Sequence, residues 1–597
     1  MTGKLTKLVS DFAEKVDRSF GWSRLPTVAA IPVLIGLRDR LRAKNLYDVG
    51  RGPLDRPPFE DPDTSRHLGA RMINGTYNDL DDPLMGSLGS RFGRNVPLEH
   101  AYPEDEKRLL EPSPRLVSRR LLTREQFQPA TTLNLLAGAW IQFEVHDWLS
   151  HDPEQEHAWE IPLEESDPWP ERPMRILRTK PDPSPSETGP PTFVTDDTHW
   201  WDGSQVYGGT PEFVDALRSH ERGRLRIDDL GLPPEDMQRF VDLSGVAGNF
   251  WVGLALLHSL FMREHNAICE RLAAEYPHLS DQQLFDKARL VNAAVMAKVH
   301  TVDWTPAIIA HPTTVLALRT NWYGLLGQHL HELVGKVTSD EVLHGIPGSQ
   351  TNHHGVPYSL TEEFVAVYRM HPLIPDEFVF RSLHDDRVLA EHPLPAVGVL
   401  HVRDRLSEVS MADLFYSFGR SHPGAITLHN YPKYLQHFDR ADGELIDLAS
   451  IDVLRVRERG VPRYNEFRRL FHLNPVRSFE ELTPNPVWAE ELRRVYGDVE
   501  RVDLMVGMYA EPKPKGFGFS DTAFRVFILM ASRRLESDRF FTRDFRPEVY
   551  TQAGFDWVND TTMRTVLLRH FPELEPALEG VDNPFAPWTA VAGGGGG

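Results

Sequence analysis

Apolar residues recur at helical spacing through much of residues 130 to 335, and again around 405–440, 478–496 and 520–540. Alternating, strand-like patterns are few, and no internal repeat divides the 597 residues. Amphipathic segments of this kind bury their apolar stripes against one another. The expected fold is therefore mainly α, with few short strands, in one large unit. No Ser/Gly-rich linker interrupts the interior. The most proline-rich stretch, roughly 160 to 192, reads as an ordered surface excursion or long loop. Residues 1–60 are expected to form a basic amphipathic extension, 61–580 the main domain, and 581–597 a flexible tail ending in Gly593 to Gly597.

The net charge of -21 argues against nonspecific nucleic-acid binding by the body of the chain. The charge is uneven. Residues 1–44 carry nine Lys/Arg against four acids, which makes the head +5 and the remainder -26. Leu5, Leu8, Val9, Phe12 and Val16 share one helical face flanked by lysines, and Ile31 to Leu37 adds a second apolar patch. A segment of this type either lies on an anionic membrane surface or docks on the protein's own core. No apolar run approaches the ~20 residues that span a bilayer, and the first residues lack the order of a cleaved signal peptide. The expected location is cytoplasmic, with the head as the candidate peripheral membrane contact. The single cysteine, Cys269, forms no internal disulfide, and its helical surroundings suit a small buried hydrophobe.

Five segments carry candidate chemistry. In Tyr368-Arg369-Met370-His371 a phenol and an imidazole stand three apart, which places them side by side on a helix. An imidazole can hold haem iron from one side, and a nearby phenol can give it an electron. The same spacing equally serves packing. Gln142 and His146 are i and i+4, above an apolar face of Leu136, Trp140 and Phe143. A neutral imidazole there can move a proton on a bound peroxide, and a satisfied core histidine is the plain alternative. Thr198, Trp200, Asp202 and Ser204 alternate through one loop, with Asp147 directly after His146. Two hydroxyls, a carboxylate and a backbone carbonyl suit Ca²⁺, and an ordinary Asx/Ser turn also fits the loop. His300 and Thr305 are expected at the C-terminal end of a helix with apolar residues at Leu284, Ala288, Val291, Val295 and Val299. Both can hydrogen-bond a carboxylate, as can an arginine from Arg533, Arg534 and Arg539, although spacing alone does not say which, if any, faces a ligand.

Together these segments resemble the fatty acid alpha-dioxygenases of the animal-type haem peroxidase and cyclooxygenase superfamily. The resemblance runs from roughly residue 65 to 575 and includes Arg71 to Asn78, Asp81-Asp82-Pro83, Leu260 to Asn266, Asn321 to Gly327, and Gly355 to Phe364. It implies an animal haem peroxidase-like helical fold holding haem b and a calcium ion. It assigns His371 as proximal iron ligand, His146 as distal histidine with Gln142 beside it, and Tyr368 as the radical-forming tyrosine. It assigns His300, Thr305 and Arg534 to the substrate carboxylate. Asp147, Thr198, Trp200 (by its carbonyl), Asp202 and Ser204 are assigned to calcium. The implied reaction adds O₂ at C2 of a fatty acid after activation by a hydroperoxide, and loss of CO₂ leaves an aldehyde one carbon shorter. A general haem peroxidase, a mid-chain oxygenase and a non-catalytic membrane-surface haem-binding protein are the competing readings.

Overall fold

The computed structural model describes residues 2–50, 52, 65–185, 188–236, 241–244, 250–324, 344–398, 401–440 and 443–591. Leu325 to Gly327 and the glycine tail lie outside the described residues, as do the side chains of Leu5 and Leu8. Ten helices position the features that follow. They are α1 (Thr2–Phe20), α2 (Thr27–Lys44), α3 (Leu135–Val145), α4 (Val252–Glu275) and α5 (Asp281–Val299). The others are α6 (Pro312–Tyr323), α7 (Glu362–Val367), α8 (Met411–Arg420), α9 (Leu448–Glu458) and α10 (Asp521–Ser537). Strands among the described residues form only short two-stranded antiparallel ladders. The expectation of a mainly helical fold with few strands is met.

Helix α3 is apolar from Leu135 to Ile141 and buried on almost every side, with Gln142 and Glu144 as its polar residues. Asn134 caps the start by accepting the Ala137 N–H at 3.2 Å. A helix this apolar belongs inside a core, and α3 packs on α4, which also runs along α5. Glu264 of α4 is fully buried and accepts from Trp557 (2.8 Å), His570 (2.7 Å) and Arg569, tying the C-terminal helices to this centre. Cys269 is buried in the same helix, and burial raises its thiol pKa.

The helical pattern between 130 and 335 is broken by a hairpin of Pro153–Ile161 with Met174–Thr179. The second strand lies within the proline-rich stretch. Trp169 in the connection packs with Ile161, Met174, Ile176, Leu109 and Leu454 in a small separate core. The pattern around 405–440 is helical only to Arg420. Beyond it Pro423 and Pro432 lack the N–H that a continuing helix needs.

The first two helices are wedded to the body. Gly36 of α2 faces Ala13 of α1, and a Cβ at Gly36 would lie 2.6 Å from the Ala13 Cβ, so only glycine allows this approach. Buried Asp17 pairs with Arg525 at 2.9 Å, and Trp22 donates to Asp521 at 2.8 Å. Arg42 donates to Ser532 (2.9 Å) and pairs with Glu536, joining α2 to α10. Docking on the core thus accounts for one face of α1. Val9 and Phe12 on the same helix remain exposed.

Candidate active site

Helix α7 does not carry Tyr368 and His371 on one face as the spacing predicted. It ends at Val367, because Pro372 has no N–H to reach the Tyr368 carbonyl. Tyr368 is the capping residue, and His371 opens a separate short turn, His371–Leu373. Tyr368 is buried, with its ring 4.5 Å from Phe364 and 5.7 Å from Trp148. Burial raises its pKa, so the phenol keeps its proton.

His371 keeps about a third of its side chain accessible while its Nδ1 lies 2.7 Å from Asp452 Oδ2 on α9. Asp452 is fully buried and also receives Tyr431 Oη at 2.9 Å and the Arg369 guanidinium. Burial alone would raise this carboxyl. His371 and Arg369 outweigh it and hold Asp452 below its ordinary range. A carboxylate on Nδ1 turns the lone pair of Nε2 outward, the arrangement that metal-ligating histidines use.

His146 follows α3, and neither of its ring nitrogens meets a partner among the described residues. Burial lowers its pKa to about 4, which keeps it neutral. Such an orphaned, buried, neutral imidazole is costly unless a ligand uses it. One turn earlier, Gln142 Oε1 accepts from Trp251 Nε1 at 2.7 Å. An indole N–H only donates, so the Gln142 carbonyl must face it and the amide N–H₂ faces the other way. His258 of α4 is a second buried neutral imidazole beside His146, lowered to about 3 by burial and by His146. His371 with a seated Nδ1 and His146 with two idle nitrogens fit a haem group, with His371 as the residue able to hold iron.

One cavity gathers the residues expected at the substrate head group. Its lining includes Tyr368, His300, Thr305 and Arg534, with Trp148 and Trp201 beside them. Apolar walls come from Ile31, Leu34 and Ile35 of α2, Leu318 of α6, and Phe524, Phe527, Ile528 and Leu535 of α10. His300 and Thr305 enter it through a π-turn, His300–Trp304, that widens the end of α5. Pro306 cannot donate to Val302, so the regular ladder fails at this point. The Thr305 hydroxyl donates to the His300 carbonyl at 2.7 Å, and engaging a ligand would require giving up that bond.

Arg534 is 1% exposed, and its guanidinium lies 4.2 Å over Trp148 and 5.0 Å over Trp201. Its Nη2 donates to the Trp200 carbonyl at 3.0 Å and stands 3.7 Å from Asp147 Oδ2. Nε and Nη1 meet no hydrogen-bond partner among the described residues. A buried cation with idle donors on a cavity wall calls for an anion there.

The expected cation loop sits directly behind Arg534. Ser204 N donates to Asp147 Oδ1 (2.7 Å) and Asp202 Oδ1 (3.2 Å), so the two carboxylates converge. Burial and then Asp202 push the Asp147 carboxyl well above its usual range. Among the described residues, Thr198 Oγ1 and one oxygen each of Asp147 and Asp202 lack hydrogen-bond partners, although Arg289 stands 3.3 Å from the Asp202 oxygen. Two buried carboxylates with orphaned oxygens around them suit a hard cation. Gly75 explains the early Arg71–Asn78 motif. Its φ is +77°, and a Cβ would lie 2.8 Å from Thr198 Cγ2. Tyr358 of the Gly355–Phe364 motif braces the loop from the other side. It donates to the His199 carbonyl at 2.8 Å and stacks on Trp200 at 4.6 Å.

Asp452, Trp251 and His258 escape sequence reasoning, because no local pattern ties them to positions far away in the chain.

Comparison with known proteins agrees with this geometry. The family model described as animal haem peroxidase matches residues 70–581. "Alpha-dioxygenase 2" of Arabidopsis thaliana is 39% identical over 592 residues, covering 96% of this chain and 92% of that protein. "Alpha-dioxygenase PIOX" of Oryza sativa subsp. japonica is 39% identical over 600 residues, covering 97% and 95%. The crystal structure of an Oryza sativa fatty acid alpha-dioxygenase tyrosine-to-phenylalanine variant with palmitic acid superposes with a TM-score of 0.90 at 38% identity. That match covers 98% of this chain and 97% of the other. The Arabidopsis thaliana fatty acid alpha-dioxygenase gives 0.91 at 36% identity, covering 98% and 92%. With a fold, a cavity and a near full-length likeness in agreement, the chain belongs to the animal haem peroxidase family, in its alpha-dioxygenase branch.

Proposed function

We propose that this protein is a haem-dependent fatty acid alpha-dioxygenase. The carrying observation is one cavity that joins a buried guanidinium with two unengaged nitrogens, a histidine and a buried tyrosine to apolar walls. His371 would hold haem b, which would supply one-electron oxidising power once primed by a hydroperoxide, with His146 and Gln142 serving the same site.

The chain's own residues then divide the work. His146, neutral by burial, accepts a proton from the activating hydroperoxide and returns it to the departing oxygen. Gln142, its carbonyl held by Trp251, keeps its amide N–H₂ free to donate beside His146. Tyr368 is the residue whose phenolic O–H would meet that one-electron demand, giving up an electron and a proton to the primed haem site and leaving a phenoxyl radical. Arg534 and His300 fix the carboxylate, with Thr305 beside them, so that C2 is the carbon presented to Tyr368. The radical takes one hydrogen atom from C2 and becomes a phenol again. O₂ adds to the C2 radical, and the peroxyl radical takes a hydrogen atom from Tyr368 to give the 2-hydroperoxy acid. Loss of CO₂ and water leaves the aldehyde one carbon shorter. The apolar walls hold the alkyl chain, each buried methylene contributing ~0.8 kcal/mol.

The deciding experiment incubates haem-loaded protein with saturated fatty acids and a trace of hydroperoxide, with products read by mass spectrometry. A 2-hydroperoxide and the shortened aldehyde are expected. Mid-chain oxygenation, or no oxygen uptake, would refute the reading.

Asp452 is expected to anchor the proximal ligand. Asp452→Asn should weaken haem affinity about 10–100-fold, as loss of an outer-shell carboxylate typically does. Unchanged haem titration curves would remove that role.

Calcium is the cation proposed for Asp147, Thr198, Trp200 by its carbonyl, Asp202 and Ser204. Protons compete for Asp147, so calcium affinity should fall as pH drops, beginning well above the ordinary carboxylate range. Asp202→Ala should lower bound calcium and melting temperature together. Equal metal content in the variant would sink the assignment.

A membrane or other lipid surface is the proposed partner of the head. No described helix is long and apolar enough to cross a membrane. Phe12 (67% exposed), Phe20 (64%) and Val28 (88%) form apolar surface on the two N-terminal helices. Val28 lies one turn from the cavity-lining Ile31. Phe12→Ser with Val28→Ser should reduce sedimentation with anionic phospholipid vesicles several-fold. Equal sedimentation would rule out this surface.

A further inference from the structure

The polarity of His300 is set from outside the cavity. Trp140 of α3 is fully buried and does not line the cavity, and its Nε1–H points at His300 Nδ1 from 3.2 Å. An indole nitrogen can only donate. His300 Nδ1 must therefore present its lone pair, and the single ring proton sits on Nε2. The ring has little freedom to turn over. Its face stacks on Trp304 at 4.6 Å, and Trp148 and Trp201 meet it edge-on at 5.4 and 5.2 Å.

We infer that Trp140 is a positioning residue for fatty acid binding, holding His300 as the Nε2–H tautomer so that the imidazole meets the carboxylate as a neutral donor. The inference rests on the proposed docking of the head group at His300, Thr305 and Arg534. The opposite tautomer would aim a lone pair at a carboxylate oxygen. A doubly protonated ring would set two donors against each other at Trp140. Burial and Arg534 also keep the ring neutral. Of the three head-group residues, Thr305 has its proton engaged on the His300 carbonyl, which leaves His300 Nε2–H and Arg534 as donors. His300 then adds direction to the site without adding charge.

The test uses the haem-loaded enzyme and oxygen uptake with palmitate. Trp140 is replaced by 3-benzothienylalanine, which keeps the ring shape and exchanges N–H for sulfur, and in parallel by Trp140→Phe. KM should rise about tenfold, in line with one lost hydrogen bond to a charged group, while kcat stays within about twofold and the visible haem spectrum is unchanged. His300→Gln should raise KM clearly less than His300→Leu does, because its amide can offer oxygen to Trp140 and N–H₂ to the ligand. In a His300→Leu background the benzothienyl replacement should add nothing further, the signature of a coupled pair. An unchanged KM without the N–H, alongside a raised KM for His300→Leu, would overturn the role of Trp140 and leave the head-group reading standing. A His300→Leu enzyme with the parent KM would overturn both. A fall in kcat with an altered haem spectrum would mark Trp140 as a packing residue and also defeat the inference.

Discussion

Tyr368→Phe is expected to lower oxygen uptake with palmitate by on the order of a thousandfold or more, while haem loading and oxidation of small phenolic donors persist. The proposed hydrogen abstraction needs an oxidisable O–H at the cavity wall. Tyr368 is the single tyrosine among the described lining residues, so no neighbouring phenol can stand in. Phenylalanine keeps the ring contacts to Phe364 and Trp148, so the cavity should retain its shape. The comparison therefore isolates one oxygen atom and its hydrogen. A variant that still consumes oxygen and yields the C2 hydroperoxide would show that the abstracting group lies elsewhere. Loss of peroxidase turnover as well would point instead to collapse of the haem site.

Arg534→Ala should raise KM for long-chain acids by at least about a hundredfold. Leaving one partner of a buried ion pair uncompensated costs about 3–5 kcal/mol. The carboxylate would then enter a site where His300 is neutral and Thr305 is engaged. Arg534→Lys should fall between the two, because an ammonium restores charge without the planar fork. Fatty acid binding is best measured in the Tyr368→Phe background, where turnover does not consume the ligand. Haem absorbance serves as the control for folding, since Arg534 also holds the Trp200 carbonyl. Unaltered affinity in Arg534→Ala would move the head group to another wall.

The parts of this protein that can be read in one dimension are those whose partners are close in the chain. Gln142 and His146 keep their helical relation, and the end of α5 delivers His300 and Thr305 as their spacing suggested. Tyr368 and His371 do not share a helix, because Pro372 lacks the N–H that a continuing helix needs, a constraint the three-residue interval does not carry. The stretch around 405–440 fails for the same kind of reason, with prolines cutting an apolar pattern that still looks helical. Asp452 stands 81 residues from His371, Trp251 109 from Gln142, and Trp140 160 from His300. Nothing local marks such pairs. Each is a hydrogen bond between side chains that only tertiary packing brings together. Trp140 reads as one more large apolar residue until the direction of its N–H is known. The arginine cluster shows the same limit. Arg533 donates to the carbonyls of Val356 and Pro357, at 2.8 and 3.0 Å, and only Arg534 of the pair reaches the cavity.

Helix α2 forms one wall of the cavity and is fastened to α10 by partners 490 residues further along, Arg42 with Ser532. During synthesis that wall leaves the ribosome long before the opposite one. Bridging so long a span costs little more entropy than a moderate one, since closure scales only with the logarithm of length. The lipid chamber therefore cannot be walled on both sides until translation has passed α10.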